Sequence, residues 1–342
     1  MSMPPGLPPD PNAPPTAPMT PLPPTPPFSS APPPPPAPAA PPQPAGGYAV
    51  PPQYMPAMAG GSVDPLVLPA GSSFGAWFAK VQEVAKRSWK SALIICTLGI
   101  AVPSAAVSLV SWLGGWGAGW SVTSVGSLSA AIGSLFLGLL ITLVASIAAC
   151  YVAAAGWAAG TWALVREASG QPAGLGPAFS YGFKRAMALF PWTVLAAIAY
   201  TIGSACFFLP GVYLAFGFSL FGFVAIFERG QNPVSRSFGL THKSDTIGPT
   251  LGKIGILFGV YLAYTLVIGL IFGAIALATA IAAGSIGSFG YNIGYGLFDA
   301  ISSLLAAPVF AVLLLGLLPT YAELRAREAP LSTEQLQQEL GA

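Results

Sequence analysis

The run Glu228–Lys253, ERGQNPVSRSFGLTHKSDTIGPTLGK, decides how this chain folds, because it gathers polar and charged residues between two long uncharged stretches. Val212–Phe227 precedes it and Ile254–Ala278 follows, both apolar throughout, so the bridge lies where hydrocarbon gives way to water. Within it Asn232-Pro233 reads as a helix start, with Asn capping and Pro at the first helical position. Val234, Phe238 and Thr241 then share one face while Arg236 and Lys243 stand off it, the pattern of a short interfacial helix.

The rest of the chain agrees with a membrane setting. Of 342 residues 54% are hydrophobic and only 7% charged, against roughly 25% charged in a soluble domain. Six apolar runs read as spans: about Ser91–Leu113, Ala131–Ala155, Pro191–Leu209, Val212–Phe227, Ile254–Ala278 and Phe298–Leu318. Pro103 and Pro308 fall inside the first and last and predict kinks there. Pro210-Gly211 leaves room only for a tight turn between spans three and four.

Orientation follows from the basic residues. All thirteen Lys and Arg lie before span one, between two and three, between four and five, or after six. The three other loops hold none, and Asp299 is the only charge on that side. The positive-inside rule therefore puts both termini in the cytoplasm. Trp112, Trp116 and Trp120 in one uncharged loop, and Tyr291 and Tyr295 in another (281–297), read as interfacial anchors.

Each pair of spans is preceded by a basic amphipathic segment, at 73–90, 176–190 and 232–245. In the first, Phe74, Trp77, Phe78, Val81, Val84 and Ala85 recur at helical spacing, with Lys80, Glu83, Arg87 and Lys90 largely opposite. Such a helix should lie in the interface plane. In the second, Phe179, Phe183, Ala186, Met187 and Phe190 oppose Lys184 and Arg185. Small residues predict close helix packing at Gly156/Gly160, and at Gly255/Gly259 with Gly269/Gly273, which share nearly one face of span five.

Residues 1–70 hold 27 of the 37 prolines and cannot build a core, so they read as a disordered or polyproline arm. Pro51-Pro52-Gln53-Tyr54 fits the PPxY pattern of WW-domain ligands, so the arm offers a protein partner a docking site; a plain flexible tether is the simpler reading. The expected organisation is thus an all-α membrane bundle of six transmembrane helices with cytoplasmic elbow helices over 73–328, an arm over 1–70 and a short polar tail over 329–342.

Two stretches resemble a known family. Pro210-Gly-Val-Tyr-Leu214, then Phe227-Glu228 leading to Arg236-Ser-Phe-Gly-Leu-Thr241, and the ending Tyr321-Ala-Glu323-Leu-Arg325-Ala-Arg327-Glu328, are similar to signatures of the bacterial glycerophosphoryl diester phosphodiesterase membrane-domain family. The likeness covers about residues 73–340 and departs from the pattern at Thr241–Ser244. It implies a multi-pass protein of a bacterial cytoplasmic membrane, and it does not imply catalysis.

Composition argues against several functions. No basic face suits nucleic acid. One histidine, His242, is too few for the usual histidine-based metal hydrolysis, and Cys96, Cys150 and Cys206 lie in apolar runs without ligand spacing. We therefore expect no catalytic residue, cofactor or metal. The candidate residues are structural or headgroup-binding: Lys86, Arg87, Lys184, Arg185, Glu228, Arg236, Glu323, Arg325 and Arg327. Glu228 should pair with Arg236 or with Arg325/Arg327 and clamp spans four and six. Anionic lipid suits three basic segments on one face, at about 1 kcal/mol per nearby Lys or Arg. The expected role is a lipid-interacting scaffold or assembly module; the alternative is a carrier or channel component for a neutral or lipid-like molecule.

Overall fold

Backbone polar groups in hydrocarbon must be satisfied within their own segment, so apolar runs of this length become helices. In the computed structural model, which describes residues 64–113, 125–206, 208–283 and 289–341, the described residues form helices and no strand. The helices are α1 (Phe74–Cys96), α2 (Val102–Leu113), α3 (Val125–Ala168), α4 (Leu175–Cys206) and α5 (Phe208–Phe218). They continue as α6 (Phe221–Phe227), α7 (Pro233–Thr241), α8 (Ile247–Ala283), α9 (Phe289–Leu305), α10 (Ala307–Ala326) and α11 (Thr333–Gly341). Six segments are long and apolar enough to cross a membrane: Phe74–Trp112, Phe136–Ala168, Leu175–Ala205, Leu209–Phe227, Ile247–Ile275 and Gly296–Ala326. The all-α, six-span architecture therefore stands. Trp116, Trp120, the PPxY motif, the side chains of Tyr291 and Tyr295 and most of the proline-rich arm lie outside the described residues.

Pro103 shapes the first span. It has no N–H to offer the Gly99 carbonyl, and its ring crowds that turn. The helix widens into a π turn over Thr97–Ala101 between α1 and α2. That turn seats against α3: a Cβ on Gly99 would lie 2.5 Å from the Gly156 Cα. Gly160, one turn further along α3, receives Leu314 of α10 and Ile95 of α1. Both members of the predicted small-residue pair are thus used.

On α1, Trp77 donates its indole N–H to Thr320 Oγ1 of α10 at 2.9 Å, while Ile95 meets Leu314 at Gly160. Phe78, Lys86 and Trp89 are left exposed along α1. Lys80 departs from its expected solvent face. It is buried, donating to the Asp64 carbonyl at 2.9 Å and to Glu83 at 2.7 Å.

The second amphipathic segment is the first half of α4, continuous with span three through Pro191. It runs antiparallel to α3, Tyr181 stacking on Trp162 and Phe190 meeting Tyr151 edge-on. Gly182 permits this, since a Cβ there would sit 2.2 Å from the Ala155 carbonyl oxygen.

Two expectations are corrected. Gly255, Gly259, Gly269 and Gly273 do not pack closely against a neighbouring helix: a Cβ on any of them meets nothing within 4 Å. The packed side of α8 is instead Ile254 and Leu257, whose branched end fills the notch left by Gly316 of α10. At this contact the bulky residue stands on α8 and the glycine on the partner helix. The arm also ends earlier than residue 70. Leu66, Val67 and Leu68 are buried in the core, and Asp64 accepts from the backbone N–H groups of Leu66 and Val67 and from Thr333, capping α11. Burial pushes the Asp64 carboxyl up, but the Thr333, Val67 and Leu66 bonds outweigh it and hold it below its ordinary range. The polar tail is docked in turn, α11 burying Leu336 and Leu340.

Candidate functional site: the charged end of the bundle

Span four does not run unbroken into the polar bridge. It breaks after Phe218 and restarts at Phe221, leaving backbone groups unpaired. Ser237 of α7 fills the gap. Its hydroxyl donates to the Gly217 carbonyl at 2.6 Å and accepts from the Leu220 N–H at 3.2 Å. Phe238 follows it in, its ring against Gly217 and its faces against Phe218, Tyr213 and His242. The bridge can make this turn because Gly230 takes a φ of +86° and Asn232 caps α7 through the N–H groups of Val234 and Ser235.

With α7 fixed, its outer face delivers Arg236 to two carboxylates. Arg236 Nε donates to Glu228 at 2.6 Å, and its NH1 and NH2 both reach Glu328, which also takes Lys243 at 2.8 Å. The other Glu228 oxygen accepts from the Tyr321 hydroxyl at 3.0 Å, and Phe223 and Phe227 stack on that ring. Arg325 stands 3.9 Å from Glu228 but spends its fork on Glu339 of α11, at 2.7 and 3.0 Å. Helices α6, α7, α10 and α11 are thereby joined by one network.

A second knot lies deeper. Lys253 of α8 meets both oxygens of Glu323 of α10, at 2.7 and 2.6 Å, with the two side chains 3% and 2% exposed. Arg327 adds a bond to Glu323 at 3.2 Å, and Lys253 also reaches the Ser72 carbonyl at 3.4 Å. The structure thus brings Glu228, Arg236, Glu323, Arg325 and Arg327 to one end. Lys86, Arg87, Lys184 and Arg185 stand apart on α1 and α4. Sequence reasoning missed Lys253 and Tyr321, which are set by packing across 70 and 93 positions, and Glu339, which meets Arg325 across 14.

Compared with models of known families, with curated proteins and with solved structures, the chain matches none. Its chemistry therefore rests on the site itself. Among the described residues no cluster of His, Cys, Asp and Glu could hold a metal ion. His242 Nδ1 lies 2.9 Å from the Thr241 hydroxyl and 3.2 Å from the Phe238 carbonyl oxygen, and the ring is packed among aromatic rings. What the arrangement does is fasten helix ends.

One consequence is a pH dependence. Hydrogen bonds from Arg236, partly opposed by burial and helped by Lys243, lower the Glu328 carboxyl from its usual 4.5 to about 2. Because the folded value is the depressed one, this contribution to stability is complete above pH 4.5 and fades as pH falls toward about 2. Glu328→Gln should flatten the loss of thermal stability between those values relative to the parent protein.

Proposed function

We propose that this protein is a non-catalytic module of the bacterial cytoplasmic membrane, with its charged end and both termini in the cytoplasm, that gathers anionic headgroups at that end. The reading rests on how its cations divide. Lys80, Arg236, Lys243, Lys253, Arg325 and Arg327 are spent on internal carboxylates. Lys86, Lys90 and Lys184 have no carboxylate within 4 Å among the described residues and are exposed. Beside them stand exposed Phe78, Trp89, Phe183 and Met187, the pairing of cation and apolar side chain that an anionic surface takes up. Arg87 lies 3.9 Å from Glu83 and Arg185 packs over Tyr181, so each flanks this pair of patches. The kinship with the phosphodiesterase membrane-domain family belongs to the same proposal, and the proline-rich arm serves in it as a tether for protein partners.

The test changes Lys86, Arg87, Lys184 and Arg185 together to Gln. At about 1 kcal/mol per cation near a charged surface, retention of phosphatidylglycerol in native mass spectrometry should drop at least about tenfold. Unchanged retention would sink the proposal. The second reading, a carrier or channel component for a neutral or lipid-like molecule, draws on one observation: a cleft partly lined by hydroxyls opens beside α8.

A further inference from the structure

That cleft lies away from the charged end. Farther along, α8 meets α9 through Tyr264, bonded to the Ser302 carbonyl, and Phe272, whose ring packs on Phe298, and a cleft of about 340 Å³ is left beside these contacts. A second hollow of about 190 Å³ continues it, Ile268, Gly269 and Ser302 lining both. The first reaches to Tyr261 and Phe310; the second ends at Gly273 and Asp299.

Its depth can be placed by helix rise. From Lys253 to Gly273 α8 climbs about 30 Å, and from Glu323 back to Asp299 a helix climbs about 36 Å. The hydrocarbon core is about 30 Å thick. With the Lys253–Glu323 knot at one boundary, Gly273 and Asp299 stand at the other. The cleft from Asp299 to Phe310 descends about 16 Å, the depth of one leaflet.

Its chemistry is one-sided. Asp299 is an exposed carboxylate, and no Lys or Arg occurs anywhere from 254 to 324 or from 91 to 165, the stretches that build α9 and its neighbours. Three of the hydroxyl protons nearby are committed inward: Tyr264 donates to the Ser302 carbonyl at 2.8 Å, Thr265 to the Tyr261 carbonyl at 2.9 Å and Ser104 to the Ile100 carbonyl at 2.8 Å. The oxygens of these three hydroxyls can then only accept, and the Asp299 carboxylate adds a negative charge. Such a lining accepts hydrogen bonds and repels phosphate that lacks a compensating cation.

We propose that this cleft holds one lipid of the leaflet opposite the charged end, a lipid whose headgroup carries a primary ammonium that meets Asp299 while a chain lies along Gly269 and Phe272. The site goes beyond the headgroup binding proposed for α1 and α4 and shares no residue with it, so either can fail alone.

The experiment uses the full chain in nanodiscs holding equal phosphatidylethanolamine and phosphatidylglycerol, with lipids retained after release into detergent counted by native mass spectrometry. The parent protein should keep phosphatidylethanolamine about fivefold over phosphatidylglycerol at one site, and Asp299→Asn should erase that preference. A Cβ on Gly269 meets nothing within 4 Å, so Gly269→Leu fills the cleft without moving α8 and should abolish the retained lipid. The Lys86/Arg87/Lys184/Arg185 variant should keep the preference. A preference absent from the parent, or unchanged by Asp299→Asn, overturns the proposal. So does a Gly269→Leu protein of parental melting temperature that still holds the lipid.

Discussion

Lys253→Met is expected to lower the unfolding free energy by about 3 kcal/mol, the lower end of what breaking a buried pair costs. Glu323 would lose the cation that engages both its oxygens and keep only Arg327 at 3.2 Å, in a site where it is almost wholly shielded from water. The residual Arg327 bond is why the loss falls short of the full 5 kcal/mol. The lost lysine also frees the Ser72 carbonyl, so the 64–72 strap should loosen with it. Lys253→Met with Glu323→Met removes both charges and should recover most of the loss, since apolar replacements of similar volume are often neutral. Unfolding in detergent monitored by circular dichroism measures both. If the double variant is no more stable than the single, the pair is not acting as a buried charge pair.

How much of this end could be read from sequence depends on chain distance. Glu228 was expected to pair with Arg236 or with Arg325/Arg327; Arg236, eight residues away, meets it at 2.6 Å, and Arg325 stands at 3.9 Å. Lys253 and Glu323 are far apart in sequence, and Lys253 looked like the polar margin of a span; only the seating of Leu257 on Gly316 sets α8 against α10 at that height. The six spans were legible because six long apolar runs, free of Lys and Arg, can satisfy their backbone only as helices. Their joints were not. Ser219-Leu220 carries no proline to mark the break in span four, whereas Pro191, which does, leaves α4 continuous. Leu66–Leu68 vanished into the proline-rich composition around them, although Asp64 two residues earlier was a capping signal in plain view.

The same joint supplies the other large effect. Gly217→Ala should destabilise the protein by about 3 kcal/mol, at the upper end of ordinary overpacking. The new Cβ would lie 2.2 to 2.7 Å from three ring atoms of Phe238. The ring has nowhere to retreat, with His242 stacked on it at 5.2 Å and Phe218 and Tyr213 against it edge-on. Helix α7 must therefore lift, and Ser237 then gives up both bonds that close the break, each worth about 1 kcal/mol. Phe238→Ala removes the obstacle at its own cost in packing, but in its presence Gly217→Ala should be nearly harmless. The double-variant cycle should thus show a coupling of about 3 kcal/mol, at the top of the range for residues in contact. Arg236 supplies an independent readout, because α7 carries it: as α7 lifts, the Glu328 carboxyl should return toward its usual 4.5 in Gly217→Ala alone and stay low in the double variant. Additive free energies within about 0.5 kcal/mol, with no movement of that titration, would mean that α7 does not lean on the broken span.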